Sequence, residues 1–249
     1  MSPGHTVRVA PLGVAGPVTE GAGDGLRPIA AAAAAGADLI LLPQLSFAPY
    51  FPARRDRGGL ELGERLPSGS MRAALEAAGA SHLAASVYEC VGEGVFYARG
   101  QLGTGADGVL LADRQRRVEA GRGRYEQMFF SPGFGPRAVA DLPWGRTGLL
   151  VGADVREPSA WAELAAAGAA LAVAGVSEPA ERWGSTRGIA AGLAAAHGVA
   201  VALVNRAPSE AEPGFAGGEL IADAAGGEPT AGEGGIYELS IEAEGSEDE

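Results

Sequence analysis

Short apolar runs alternate with longer alanine-rich segments along most of the chain, which is typical of α/β proteins. The run from Leu39 to Leu42 is apolar at every position, as expected for a strand covered on both faces. The segment from Pro158 to Ala167 has proline in its first turn and Gly168 after its end, which indicates a helix. The pattern predicts strands at 7–14, 39–42, 83–88, 95–102, 109–112, 137–142, 147–151, 171–173 and 199–204, and helices at 25–35, 70–78, 158–167 and 185–197.

The alternation runs on without a linker, so residues 1–241 are predicted to form a single domain. A chain of 249 residues with 47% hydrophobic content can bury one sizeable core. Beyond residue 204 the pattern indicates a hairpin-like region. The last eight residues, 242–249, are mostly acidic and are predicted to be a disordered tail.

Charge and cysteine content exclude several classes of protein. All 19 basic residues are arginines, and against 31 acidic residues they leave a net charge of -12. This field repels nucleic acid and anionic membranes, so neither is expected as a partner. Cys90 is the single cysteine, which rules out an intrachain disulfide. With no signal-like N-terminus and no apolar stretch of membrane-spanning length, we expect a cytoplasmic protein.

Several spaced segments resemble the nitrilase, or carbon-nitrogen hydrolase, superfamily in chain order. Each motif is weak alone, but their order and spacing extend over about residues 7 to 241. The matching segments are 36–44, ending in Pro43-Gln44; 125–133, with Tyr125-Glu126 and Pro132-Gly133; 145–158; Asn205-Arg206; and 215–218. The resemblance implies an αββα sandwich, an α/β fold.

The same resemblance identifies the positions of the family's catalytic groups, and here they are substituted. Gln44 stands where the family has a glutamate general base, and Gly152 stands at the cysteine nucleophile. Arg116 falls at the catalytic lysine, or Gln115 if the register slips by one residue. A glutamine cannot act as a general base and a glycine cannot form a covalent intermediate. Glu126, the family's accessory carboxylate, is retained.

These substitutions favour a non-catalytic member of the family, a pseudoenzyme that binds a small molecule or a partner subunit. Gln44, Arg116, Glu126, Gly152 and Asp154 are the expected ligand-binding residues, in a pocket enlarged by the missing nucleophile side chain. No catalytic residue, cofactor or metal is expected. The alternative is a divergent carbon-nitrogen hydrolase that acts on an amide or nitrile through relocated catalytic residues.

Other residues suggest chemistry only weakly. Cys90 is more typical of a small buried residue than of a nucleophile. Asp154 is more typical of a turn or helix cap than of a catalytic carboxylate. The sequence Gly103-x-Gly105-x-x-Gly108 lies between two predicted strands, which favours a hairpin turn over a dinucleotide site.

Two further groups of charged or titratable residues have alternative interpretations. His5, His82 and His197 are scattered and have no metal-ligand spacing. The arginines 54, 55 and 57 follow a proline-rich loop. A solvated loop is the favoured interpretation of this cluster, and the alternatives are the edge of a pocket or a surface for an acidic partner.

The resemblance also implies a homodimer, since relatives pair through helices that follow the nucleophile strand and form an αββααββα assembly. Here the segments 158–167 and 185–197 are rich in alanine, which permits close helix packing. The alternatives are that these small residues pack against their own sheet, or that the chain forms a heteromer with an active relative.

Overall fold

The computed structural model describes residues 4–14, 25–208 and 214–242. Eleven strands and four α-helices form within these residues. The strands are β1 His5–Pro11, β2 Leu39–Leu41, β3 His82–Gly92, β4 Val95–Thr104, β5 Gly108–Arg114, β6 Val139–Leu142, β7 Gly145–Val151, β8 Leu171–Val176, β9 Ala200–Asn205, β10 Glu219–Ala222 and β11 Tyr237–Ile241. The helices are α1 Arg27–Ala34, α2 Gly69–Ala78, α3 Pro158–Ala166 and α4 Ala180–Ala196.

The strands form two sheets of mixed direction. One has the order β11-β1-β2-β3-β4-β5 and the other β10-β9-β8-β7-β6. In the first sheet β1, β2 and β3 are parallel, with Val9 opposite Leu39 and Leu39 opposite His82. In the second sheet β7, β8 and β9 are parallel, with Thr147 opposite Leu171. Because the helices connect parallel strands, each sheet is covered on its outer face.

Three apolar clusters separate the four layers. The inner cluster lies between the sheets and includes Val7, Leu102, Leu149 and Val173. A second cluster joins α1 and α2 to the first sheet, and a third joins α3 and α4 to the second sheet around the fully buried Trp161. The layers are therefore αββα, which confirms the predicted fold class.

Local sequence explains where the helices start and stop. The Ser68 hydroxyl accepts from the Met71 N–H and caps α2, and Pro158 begins α3. Gly36 has φ 84°, a left-handed conformation that lets the chain turn from α1 into β2. Among the described residues, no helix combines the length and apolar character needed to span a membrane.

The structure corrects two sequence predictions about the elements. Helix α4 begins at Ala180, five residues before the predicted start, because the polar first turn hid the helical period. In the hairpin-like region beyond residue 204, β10 pairs antiparallel with β9, the strand before it in the chain, but β11 pairs with β1 in the other sheet, so β10 and β11 do not form a hairpin with each other. The acidic tail lies outside the described residues from 243 onward.

Candidate functional site

Three strand ends meet at one end of the sandwich. Gln44 follows β2, Gln115 directly follows β5, and Gly152 directly follows β7. Their closeness is shown at Gly152, where an added Cβ atom would lie 2.5 Å from Gln44 Nε2 and 2.7 Å from Gln115 Oε1. All three residues are buried, as is Glu126.

The side chains of Gln44, Gln115 and Glu126 form one hydrogen-bond network. Gln44 Nε2 donates to Gln115 Oε1 at 2.6 Å and to Glu126 Oε1 at 3.1 Å. Gln115 Nε2 donates to Glu126 Oε2 at 2.8 Å and to the carbonyl oxygen of Arg117 at 2.7 Å. Because each amide nitrogen faces two oxygens, both amides have only one orientation that satisfies their donors.

Glu126 accepts hydrogen bonds on both carboxyl oxygens. In addition to the two glutamines, the Tyr50 hydroxyl donates to it at 2.9 Å and the Glu119 N–H at 3.0 Å. Burial raises the pKa of Glu126, while Arg124 and these donors act in the opposite direction. Burial, and next the charge of Glu126, also raise the pKa of Tyr50. Three of the four donors, which are the two glutamine amides and the Glu119 N–H, cannot accept a hydrogen bond, and this favours a carboxylate over a neutral acid.

The empty space that we expected at Gly152 is filled by neighbouring side chains. Gly152 has φ 54°, and the amide ends of Gln44 and Gln115 occupy the volume that a side chain there would need. The expectation that losing the nucleophile side chain enlarges the pocket is therefore wrong. One polar atom of the network is left over: Gln44 Oε1 is buried and has no hydrogen-bond partner.

A buried arginine holds the backbone that carries Gln44. The Arg206 guanidinium donates to the carbonyl oxygens of Gln44 and Leu45, each at 2.8 Å, and to that of Ala48 at 3.3 Å. Leu45 has φ 53°, and it is the one non-glycine residue with positive φ in the described part of the chain. Burial lowers the pKa of Arg206 to about 10. We interpret these carbonyl contacts as the restraint that maintains the strained turn and directs Gln44 toward Gly152.

Two predicted site residues lie elsewhere. The Arg116 side chain points away from Gln44 and binds Glu163 at 2.8 Å, so Gln115 and not Arg116 lies beside Gln44. The placement of Arg116 in the site is therefore wrong, because side chains alternate along an extended chain and a shift of one residue reverses the face. Asp154 is fully buried and is occupied by protein donors: the N–H groups of Arg116 and Arg117, and Arg137 at 2.8 Å.

Asp154 thus anchors the segment that carries Gln115 and is neither a helix cap nor a free carboxylate. Burial raises the pKa of Asp154, and Arg137 acts against this effect.

A buried cluster of two arginines and two glutamates lies next to the hydrogen-bond network of Gln44, Gln115 and Glu126. Arg124 binds Glu178 at 2.6 Å and also pairs with Glu119, and Arg156 pairs with the same two glutamates. Burial alone would lower the pKa of Arg124, but Tyr50 and the nearby carboxylates raise it. Because Glu119 also donates its N–H to Glu126, the cluster fixes the backbone beside the site.

The other candidate residues are not part of this site. Cys90 Sγ contacts the carbonyl oxygen of Gly92 at 3.6 Å and is packed beside Gly63. The glycine motif 103–108 forms the β4–β5 turn, where Thr104 pairs with Gly108, as predicted. Within the described ranges, no three His, Cys, Asp or Glu residues are grouped to hold a metal ion.

Sequence reasoning gave Tyr50 and Ser177 no role. Tyr50 lies in an irregular proline-rich loop, where no periodic pattern marks a buried position, yet its hydroxyl binds Glu126. Ser177 follows β8 and donates its hydroxyl to the Gln44 carbonyl at 3.2 Å. The sequence did carry one signal for Ser177, because a polar residue directly after an apolar strand often lies at the end of the sheet where a site forms.

The arrangement can exchange hydrogen bonds but lacks the groups for nucleophilic attack. Neither Gln44 nor Gln115 titrates near neutral pH, and Gly152 has no side chain. Glu126 is ionisable, but four protein donors already occupy its oxygens.

Comparisons with known proteins agree with this architecture. A sequence profile described as carbon-nitrogen hydrolase matches residues 8–209, so the chain belongs to the carbon-nitrogen hydrolase family. A search of curated proteins found no match.

Solved structures show the same fold at low sequence identity. A carbon-nitrogen hydrolase from Helicobacter pylori G27 is 19% identical with a TM-score of 0.83, covering 96% of this chain and 90% of that chain. An amidase from Nesterenkonia sp. AN1, with glutamate replaced by glutamine and cysteine by alanine and with acrylamide bound, is 22% identical. Its TM-score is 0.76, and the match covers 96% of this chain and 87% of that chain. A further structure is a variant of the same amidase in which the acetamide moiety of fluoroacetamide is covalently attached to the active-site cysteine. It is 22% identical with a TM-score of 0.78, and the match covers 96% of this chain and 92% of that chain.

Proposed function

We propose that this chain is a non-catalytic member of its family that acts by binding a small molecule or a partner subunit. The observation that carries the proposal is the Gln44–Gln115–Gly152 arrangement, with two neutral amides and no nucleophile. Acyl transfer by a covalent route needs a nucleophile, a base and a donor for the oxyanion. The first two are missing at these positions.

The comparison with the amidase supports binding without turnover. That protein was solved with acrylamide bound although a glutamate had been replaced by glutamine and a cysteine by alanine. The substitutions are of the same kinds as those inferred at Gln44 and Gly152.

Chemical labelling tests the proposal directly. Fluoroacetamide, whose acetamide moiety adds to the active-site cysteine of the amidase, is incubated with the wild type and with Cys90→Ala, and intact masses are measured. We expect no adduct on the wild type, and no turnover in a panel of amides, nitriles and carbamoyl compounds. A hydrophobic peptide that contains one cysteine of ordinary reactivity is incubated with fluoroacetamide in parallel. Its labelling measures the non-specific modification of thiols.

The alternative is a divergent hydrolase with relocated catalytic groups. Rapid labelling of Cys90 together with turnover that Cys90→Ala abolishes would establish that alternative and reject our proposal. Turnover that persists in Cys90→Ala would also reject it and would point to a different nucleophile.

We further propose that the chain forms a homodimer through α3 and α4, giving αββααββα layers. Helix α4 carries glycines at 184, 188 and 192, all exposed, and a Cβ atom added at any of them would meet open space. The residues that α4 buries against its own sheet are Thr186, Ala190 and Ala194, on another face. Packing within the protomer therefore does not explain the glycines, whereas close approach of a second helix does. A heteromer with an active relative is the competing assembly.

A further inference from the structure

A pocket lies beside the segment that carries Glu126 and is lined by its residues 120–122, 125, 127 and 128 together with Arg55. Its volume is about 500 Å³, and Arg55, Arg122, Tyr125 and Met128 contribute to its walls. No acidic side chain is among its lining residues. A pocket of this size is within the range that small-molecule sites occupy.

The arginines of this pocket have no acidic partner. In the described part of the chain neither Arg55 nor Arg122 forms an ion pair, although the protein has 31 acidic residues and a net charge of -12. Some exposed arginines elsewhere in the described ranges are paired, as Arg187 is with Glu228, and others such as Arg65 are not. What distinguishes this pocket is that two unpaired arginines line one cavity that has no acidic side chain in its walls. Two unpaired guanidinium groups at one cavity leave several N–H donors directed at solvent or at a bound anion.

The walls of the pocket are held in place by the backbone. The Tyr125 N–H donates to the Pro52 carbonyl at 2.8 Å, which ties the 119–128 segment to the loop that carries Arg55. The Arg55 guanidinium lies 4.7 Å from the centre of the Tyr125 ring. This cation–π contact restrains the guanidinium and leaves its edge free for hydrogen bonds. Met128 and the Tyr125 ring supply apolar surface beside the two charges.

From this combination we propose that the pocket between Arg55 and Arg122 binds a small organic carboxylate with an apolar body. The carboxylate accepts paired hydrogen bonds from the guanidinium groups, and the apolar body lies against Tyr125 and Met128. Neither Gln44 nor Gln115 lines this pocket, so the ligand binds outside their hydrogen-bond network. The inference rests on the pocket alone, so it holds whether or not the chain has catalytic activity.

Calorimetric titration of the full chain tests the proposal, with benzoate as the probe and benzamide as its uncharged counterpart. We expect benzoate to bind and benzamide to bind about tenfold more weakly or not at all, because the charge is what the arginines recognise. Raising the salt from about 50 to about 500 mM should weaken benzoate binding, since exposed charges are screened.

Variants connect the binding to this pocket. Arg55→Gln with Arg122→Gln should weaken benzoate binding about tenfold or more, and lysine at both positions should restore part of it. Arg65→Gln, at an exposed arginine outside the pocket lining, is the matched control and should leave the affinity within about twofold. Circular dichroism verifies that each variant is folded.

Three results would overturn the proposal: no benzoate binding at millimolar concentration, equal binding of benzamide, or an equal loss in Arg65→Gln. Because labelling of Cys90 and substrate turnover are separate measurements, the failure of this proposal is distinguishable from that of the proposed function.

Discussion

At Gly152 the side chains of two neighbouring glutamines occupy the space that a larger residue would need. A Cβ atom at this position would approach Gln44 Nε2 to 2.5 Å, and the backbone is left-handed with φ 54°. Gln44 is flexible in principle, but moving its amide would break bonds to Gln115 and Glu126. The glycine and the two glutamines therefore depend on one another.

Substitution of Gly152 by alanine should consequently destabilise the protein by about 1–3 kcal/mol, through backbone strain and overpacking. Urea unfolding measures the change. Gly69→Ala is the control, since a Cβ atom at Gly69 meets nothing within 4 Å, and it should change the stability by less than about 0.5 kcal/mol. Equal effects of the two substitutions would show that the space at Gly152 is open.

Glu126→Gln preserves the shape of the side chain but replaces one acceptor oxygen by a donor nitrogen. Each carboxyl oxygen receives two hydrogen bonds, and at least one donor on either oxygen is an N–H group that cannot reverse its role, so an amide nitrogen there would leave a buried donor without its acceptor. We expect a loss of about 2–4 kcal/mol at neutral pH, measured by urea unfolding. A change below about 0.5 kcal/mol would indicate that Glu126 is already a neutral acid in the folded protein.

At the scale of secondary-structure elements, the start of β3 contains a pH-sensitive position. His82 is half-buried and its ring packs against Trp144 with ring centres 4.8 Å apart. Burial lowers the pKa of His82 below its ordinary value of 6.5, and the carboxylates of Asp107 and Asp38 oppose this shift. In the pH range between the folded value and 6.5, the unfolded chain therefore binds more protons than the folded protein.

Stability that depends on neutral His82 should be complete above pH 6.5 and should decrease as the pH falls toward the folded pKa. We expect His82→Gln to flatten this part of the pH dependence of the free energy of unfolding, measured between about pH 5 and pH 7.5. His5→Gln, at an exposed position of β1, is the control. An unchanged slope in His82→Gln would exclude His82 as the cause.

For the molecule as a whole, the proposed dimer can be tested at the face of α4 that carries the glycines 184, 188 and 192. Glycine within a helix costs about 1 kcal/mol relative to alanine, so three exposed glycines at intervals of four residues are expensive unless another surface approaches them closely. Light scattering of the wild type at micromolar concentration should give a dimer mass, and Gly188→Leu should give a monomer because the leucine side chain separates the helices.

Gly69→Leu, at an exposed position in the first turn of α2, is the matched control and should remain dimeric. A monomeric wild type would contradict the dimer. A dimer that persists in Gly188→Leu would place the interface on another surface, and co-purification with a second chain from the native host would favour the heteromer.

That residues 1–241 form one domain also stays a prediction.

The order and type of the elements could be read from the sequence because they depend on local periodicity and on residues that start or end helices. Apolar runs such as that of β2 and the proline at the start of α3 are signals within a few residues of the element they specify. The family also followed from short motifs in order, which the sequence profile confirms. That Gly152 stands at the family's nucleophile position follows from the resemblance and stays a prediction.

Tertiary structure decided which side chains meet. The choice between Gln115 and Arg116 depends on a single residue of register at the end of β5, and no local pattern fixes it. The pairing of β10 and β11 with strands of different sheets and the binding of Tyr50 to Glu126 are also contacts between distant parts of the chain. A sequence specifies its local conformations through nearby residues, whereas the filling of a cavity depends on all the elements that surround it.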